Sequence, residues 1–141
     1  MSIKKYSKKM IQNICTVLIN YQDRFIIYGL YQGIEGEDYS DLLEIKLSDV
    51  AEDYSCINLK DRKFICDDFM KKIIRGTIKE NLYIMNYSDE LNDEDRYYFN
   101  NESKYLIKSM PTSTNNGLGP MSKNELEIKL NKIKKILDDL K

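Results

Sequence analysis

The fold predicted for this chain depends mainly on residues 15–34, which read Cys15-Thr-Val-Leu-Ile-Asn-Tyr-Gln-Asp-Arg-Phe-Ile-Ile-Tyr-Gly-Leu-Tyr-Gln-Gly-Ile34. Its first part, 15–21, is apolar and β-branched, and a second apolar run covers 24–34, so each part favours a strand. Gln22 and Asp23 lie between the two runs at a candidate turn. A glycine inside a strand indicates a bulge or a sharp bend, and Gly29 takes that place. The stretch therefore predicts a strongly bent hairpin.

Further short strands are predicted downstream of this hairpin. Residues 42–47 alternate between apolar and polar side chains, while 63–66 and 82–85 are short apolar runs. Several short strands at regular spacing, with glycines at the bends, are typical of a small antiparallel barrel. The chain is therefore predicted to be mainly β, with a small, strongly bent, SH3-like barrel and flanking helices.

The flanking helices are predicted at the two ends of the chain. Residues 3–13 place apolar side chains on one helical face, with lysines mostly on the other. At the other end, Ser122 and Glu125 have the spacing of a capping box, which marks a helix start. We expect a barrel domain with its N-terminal helix over 1–110, a linker over 111–120 rich in turn formers, and an amphipathic helix over 121–141.

The C-terminal helix carries an apolar seam with the four-three spacing of a heptad. Its members are Leu126, Leu130, Ile133, Leu137 and Leu140. A helix this short is marginal in water by itself, so the seam needs a surface to pack on. That surface belongs either to the chain's own domain or to another chain, and an oligomer or a protein partner is expected in the second case.

Composition limits the classes of function. The chain has 141 residues, a formal net charge of −1 and no histidine. Histidine is the usual general base near neutral pH and the commonest metal ligand, so its absence argues against catalysis, a metal site or a cofactor. Three widely spaced cysteines and no long apolar run suggest an intracellular protein, cytoplasmic or nuclear, without a membrane segment.

Two motifs resemble those of the Sm and Sm-like (LSm) family. The run 18–35 resembles the first two strands of that family, with Gly29 at the bending glycine. Ile74-Arg75-Gly76 followed by Leu82-Tyr-Ile is similar to the family's second motif. The resemblance covers about residues 3–86. It implies a five-stranded barrel, assembly into rings, and single-stranded RNA as a partner.

The resemblance also implies nucleic-acid-binding residues. Arg75 and Gly76 match the family's Arg-Gly turn, and Tyr39 is the aromatic nearest to the third strand. The lysines of the N-terminal helix add positive charge, and they include Lys4, Lys5 and Lys8. On this alignment Glu44 stands where the family has an RNA-contacting asparagine.

Three classes of function follow from the sequence. The favoured hypothesis is a non-catalytic binding module, an Sm-like RNA-associated ring or scaffold subunit. The alternative is a small inhibitor of phage or immunity type, because residues 35–53 carry eight carboxylates against one lysine and could occupy a nucleic-acid-binding or enzyme site. An enzyme that works with carboxylates is the least favoured.

Overall fold

The computed structural model describes residues 3–85 and 96–139, and about half of this part of the chain is helical. Its α-helices are α1 (Lys8–Val17), α2 (Tyr21–Tyr31), α3 (Ser40–Leu43), α4 (Asp68–Lys79) and α5 (Lys123–Asp139), and 3₁₀ turns occur at Ile3–Lys5, Glu37–Tyr39 and Leu47–Asp49. Strand β1 (Cys56–Asn58) pairs with β2 (Lys63–Ile65), and β3 (Leu82–Ile84) pairs with β4 (Arg96–Tyr98), both antiparallel. The predicted mainly-β barrel is wrong, since the described residues form two separate two-stranded sheets and no closed barrel.

Helix α2 lies at the centre of the fold and explains the error. It packs on both α1 and α4, and every residue from Phe25 to Leu30 is buried. A helix that is buried on all sides reads as a continuous apolar run, and periodicity cannot distinguish it from a buried strand. The predicted turn at Gln22 and Asp23 lies instead in the first turn of α2, and the chain changes direction at 18–20.

Gly29 serves close packing in place of a strand bend. It lies within α2, where a Cβ would stand 3.3 Å from the Leu42 side chain of α3. Since α3 covers Ser40–Leu43, the strand predicted over 42–47 is also wrong. Leu42, Leu43 and Ile45 are all buried in the core, a spacing that does not follow the alternation of a strand.

The short strands β2 and β3 and the N-terminal helix were predicted more accurately than the centre of the fold. Strands β2 and β3 confirm the short strands expected at 63–66 and 82–85. A helix near the N-terminus is also present, although it runs from Lys8 to Val17 and follows a separate 3₁₀ turn. Its start is fixed by Ser7, whose side chain accepts a hydrogen bond from the Met10 N–H at 3.1 Å.

Helix α5 packs on the rest of its own chain. Leu126, Leu130, Ile133 and Leu137 are all buried in the main core cluster, while Leu140 lies outside the described residues. One half of the predicted capping box forms, because the Glu125 N–H donates to Ser122 Oγ at 3.1 Å. The Glu125 carboxylate does not reach back. It accepts hydrogen bonds from Ser109 Oγ at 2.9 Å and the Met110 N–H at 3.2 Å.

Candidate functional site

A surface pocket lies where the start of α2 meets one face of α4. Its volume is about 530 Å³, and it is lined by Tyr21, Lys72, Arg75, Gly76, Lys79 and Glu80. We call this cavity the α4 pocket. The lining combines three cationic side chains, one carboxylic acid and one phenol, which is a set of groups suited to an anionic ligand.

The helical spacing of α4 brings the three cations together. Lys72, Arg75 and Lys79 are three and four residues apart, so they share one face of the helix, and all three are exposed. The opposite face carries Met70, Ile73, Ile74 and Thr77, which are buried against the core. The core therefore fixes the rotation of α4, and that rotation turns the basic face to solvent.

Gly76 makes room for the Tyr21 ring. A Cβ built at Gly76 would overlap ring atoms of Tyr21. The guanidinium of Arg24, one turn along α2, lies 4.5 Å from the centroid of the same ring, a distance typical of a cation–π contact. Tyr21 is 37% exposed. A partly exposed phenol is thus held at the edge of the basic face.

Glu80 joins the end of α4 to the start of α2. Its Oε2 accepts a hydrogen bond from the Tyr21 N–H at 2.7 Å, and its Oε1 accepts one from the Gln22 N–H at 3.2 Å. These are among the first N–H groups of α2, which have no partner inside the helix. The Asn20 side chain makes no capping hydrogen bond there, so a carboxylate from another helix fills that role.

The surroundings of Glu80 place its titration near neutral pH. Burial raises the pKa of this carboxyl to about 7, and the charge of Asp23 adds to the rise; the two backbone hydrogen bonds and Lys108 oppose it. A group with such a pKa exchanges a proton readily at neutral pH. In a chain without histidine, Glu80 supplies the titration that histidine usually provides.

Comparison with known families decides the identity of the chain. The model of the family described as MrpR, C-terminal catalytic domain, matches residues 5–141. The chain belongs to this family. No curated protein matches it. The Sm-like assignment is therefore wrong, and so is the hypothesis of a non-catalytic module, because the MrpR family is described as a catalytic domain. The inhibitor alternative gains no support from this family.

The α4 pocket of this MrpR-family domain contains two of the predicted nucleic-acid-binding residues. Arg75 and Gly76 line it together, although both lie in a helix and not in the predicted turn. Tyr39 lies elsewhere, in a small cavity of about 240 Å³ beside Lys123. Lys4 and Lys5 belong to the first 3₁₀ turn, and Lys8 begins α1; none of the three lines the α4 pocket.

Four lining residues of the MrpR-family pocket were missed from the sequence. A helix over 68–79 could have been predicted, because Asp67 is a good N-cap residue. Its carboxylate accepts the Met70 N–H at 2.8 Å. The helical spacing would then have placed Lys72 and Lys79 on the same face as Arg75. Tyr21 and Glu80 had no local signal, because they are far apart in the sequence and meet only through packing.

Two further observations describe the MrpR-family domain. Among residues 3–85 and 96–139, no group of three or more cysteine, aspartate or glutamate side chains is arranged to hold a metal ion. In the same part of the chain, none of the helices is long and apolar enough to cross a membrane.

Proposed function

We propose that this MrpR-family domain is an enzyme that acts on a phosphate ester bound in the α4 pocket, with single-stranded nucleic acid as the preferred substrate class. One observation carries the proposal: three cations and a carboxyl group with a pKa of about 7 line the same pocket. The family's description as a catalytic domain supports an enzyme, and the lining residues support the class of substrate.

The cations bind and neutralise the phosphate. Arg75 offers a planar fork of N–H donors that matches two phosphate oxygens, whereas Lys72 and Lys79 act as point charges on either side. Positive groups that are fixed before the reaction also stabilise negative charge as it develops on the phosphoryl oxygens. Nucleic acid fits this arrangement because its phosphates repeat along the strand.

Glu80 exchanges the proton. In its carboxylate form it takes a proton from the attacking water, and in its protonated form it gives one to the leaving oxygen. The two backbone N–H donors fix its orientation without using all of its acceptor capacity, since each carboxylate oxygen has two lone pairs. Tyr21 places a hydroxyl-bearing ring beside this acid and closes one side of the pocket.

The role of Arg75 is tested by binding to labelled oligonucleotides. The variant Arg75→Ala should weaken binding about tenfold and lower the slope of log affinity against log salt by about one, since one phosphate contact is lost. Fluorescence anisotropy at several salt concentrations, with single- and double-stranded DNA and RNA, measures both effects. Lys134→Ala is the matched control, because Lys134 is an exposed cation outside the pocket.

Equal affinities and slopes for Arg75→Ala and Lys134→Ala would contradict the binding half of the proposal.

Turnover tests the catalytic half. Hydrolysis of a bound oligonucleotide should fall about a hundredfold in Glu80→Gln, because general acid–base catalysis contributes about this much. Binding should remain near that of wild type. A wild-type domain that binds oligonucleotides but releases no product would show a binding surface without phosphate-ester chemistry.

The raised pKa of Glu80 also predicts how stability depends on pH. Because the folded state binds this proton up to about pH 7 and the unfolded state loses it near pH 4.5, stability falls as the pH rises through this window. The expected loss, taken as the difference between wild type and Glu80→Gln, is on the order of 3 kcal/mol. Urea denaturation between pH 4 and about 8 measures it.

The control for this pH effect is Glu44→Gln, which changes an exposed glutamate. It should leave the wild-type pH dependence intact. A Glu80→Gln variant whose stability runs parallel to that of wild type across the whole range would show that Glu80 titrates near its ordinary pKa. The assignment of proton exchange to Glu80 would then fail, whatever the oligonucleotide assay shows.

A further inference from the structure

A second groove lies beneath α5, beside strand β3, and shares no lining residue with the α4 pocket. Its volume is about 380 Å³, within the range of small-molecule sites. Its buried lining residues are Asp23, Tyr83, Lys129 and Ile133, and two large apolar side chains on its rim, Met85 and Ile128, are 41% and 51% exposed. We call this cavity the α5 groove.

Lys129 is the unusual member of this groove. Its side chain is only 9% exposed, and its ammonium lies 3.5 Å from the centroid of the Tyr83 ring and 3.9 Å from Asp23 Oδ1. Within residues 3–85 and 96–139, no oxygen accepts a hydrogen bond from Lys129 Nζ. A buried amine with three donors therefore faces the groove with donor capacity to spare.

The burial of Lys129 makes its side chain easier to deprotonate than that of an exposed lysine. Burial lowers the pKa of its ammonium, while the charges of Asp23 and Glu125 oppose the shift. The ammonium that pairs with Asp23 therefore loses its proton more readily than an exposed lysine does, and the free amine is a nucleophile. Tyr83 does not compete for the ligand, since its hydroxyl donates to Asp23 Oδ2 at 2.6 Å.

The lining also restricts the ligand. Two carboxylates, Asp23 and Glu125, and two cations, Lys129 and Lys132, line the groove, so their charges balance and favour a neutral ligand. The exposed Met85 and Ile128 favour an apolar body, because covering them removes apolar surface from water. A neutral molecule with an apolar chain and one carbonyl group meets both conditions and gives Lys129 an acceptor.

We propose that the α5 groove binds a small apolar aldehyde or ketone, which forms an imine with Lys129. The lone pair of Nζ attacks the carbonyl carbon, and a C–N bond forms. The carbonyl oxygen takes up both protons of the neutral amine and leaves as water, so a C=N double bond replaces the C=O bond.

The test uses hexanal as the probe and cyanoborohydride to reduce the imine to a stable secondary amine. Peptide mapping by mass spectrometry of the full chain should find the hexyl adduct at Lys129 before Lys134 and Lys135, two exposed lysines of the same helix that lie outside the groove. Lys129→Arg should lose this adduct, and Lys134→Arg should retain it. Hexanamide, which has the same shape but forms no imine, should slow the labelling of Lys129.

Labelling of Lys129 at the same rate as the exposed lysines would overturn the proposal. Acetaldehyde gives a second criterion that needs no variant. If the groove recognises an apolar body, hexanal should label Lys129 at a lower concentration than acetaldehyde, whereas Lys134 should show no such preference. Equal behaviour of the two aldehydes at Lys129 would also overturn it, because the site would then offer reactivity without a binding groove.

Discussion

Replacing Asp23 with alanine is expected to lower the free energy of unfolding by about 3–5 kcal/mol, the range for removing one partner of a buried charge pair. The Asp23 side chain is 1% exposed. Its Oδ2 accepts hydrogen bonds from the Tyr83 hydroxyl at 2.6 Å and from Asn20 Nδ2 at 3.4 Å, and Lys129 lies 3.9 Å from its Oδ1. The substitution removes one acceptor from the Tyr83 hydroxyl and from Asn20 Nδ2, and it removes the counter-charge of the buried Lys129 ammonium. Chemical denaturation measures the loss.

A second substitution separates the charge pair from the hydrogen bonds. Lys129→Met removes the buried ammonium while keeping an apolar stem, so the double variant Asp23→Ala with Lys129→Met should be more stable than the sum of the two single effects predicts. Strict additivity would show that the two charges do not interact. Asp61→Ala is the matched control, since that side chain is 73% exposed and its replacement should change stability by less than about 0.5 kcal/mol.

The paired variant Leu130→Asp with Leu137→Asp should prevent the domain from folding. The two leucines are 4% and 0% exposed within the main core cluster. Each substitution removes roughly 2 kcal/mol of apolar burial and places a carboxylate in an apolar site, which costs several kcal/mol more. The sum approaches the whole stability of a typical domain, about 5–15 kcal/mol. Circular dichroism and thermal melting measure the loss of structure.

The matched control for this pair places the same charges on the solvent side of α5. Asn131 and Lys134 are exposed, so Asn131→Asp with Lys134→Asp should melt close to wild type. A wild-type melting temperature for the leucine pair would show that α5 is not docked in solution. Its apolar seam would then be free to bind another chain, which was the other outcome that the sequence left open.

The local elements could be predicted because their signals lie within a few residues. Ser122 caps α5 through a backbone N–H three residues away, and the leucine seam repeats with the helical period, so the sequence alone predicts both the start of α5 and its buried face. Strands β2 and β3 lie within the short runs 63–66 and 82–85, which are largely apolar and have polar residues on both sides. In these two runs the local strand propensity agrees with the tertiary structure, so the predicted strands are confirmed.

The centre of the fold was not predictable in this way. Residues 25–30 are buried on every side because α2 packs on both α1 and α4, so this apolar run shows neither the helical nor the strand period. Its β-branched residues favour a strand locally, but tertiary packing overrides a propensity of this size. The family resemblance then failed for the same reason, since it depended on assigning this run to two strands.

The sequence by itself determined the amphipathic helix α5 and the short strands β2 and β3. Only the tertiary structure decided what surrounds them. Tyr21 meets Gly76 because α2 packs on α4, Glu80 caps a helix that begins 59 residues earlier, and Lys129 points inward from a helix whose other lysines are exposed. Such contacts carry no local pattern, because their free energy comes from burial and from partners that are distant in the chain.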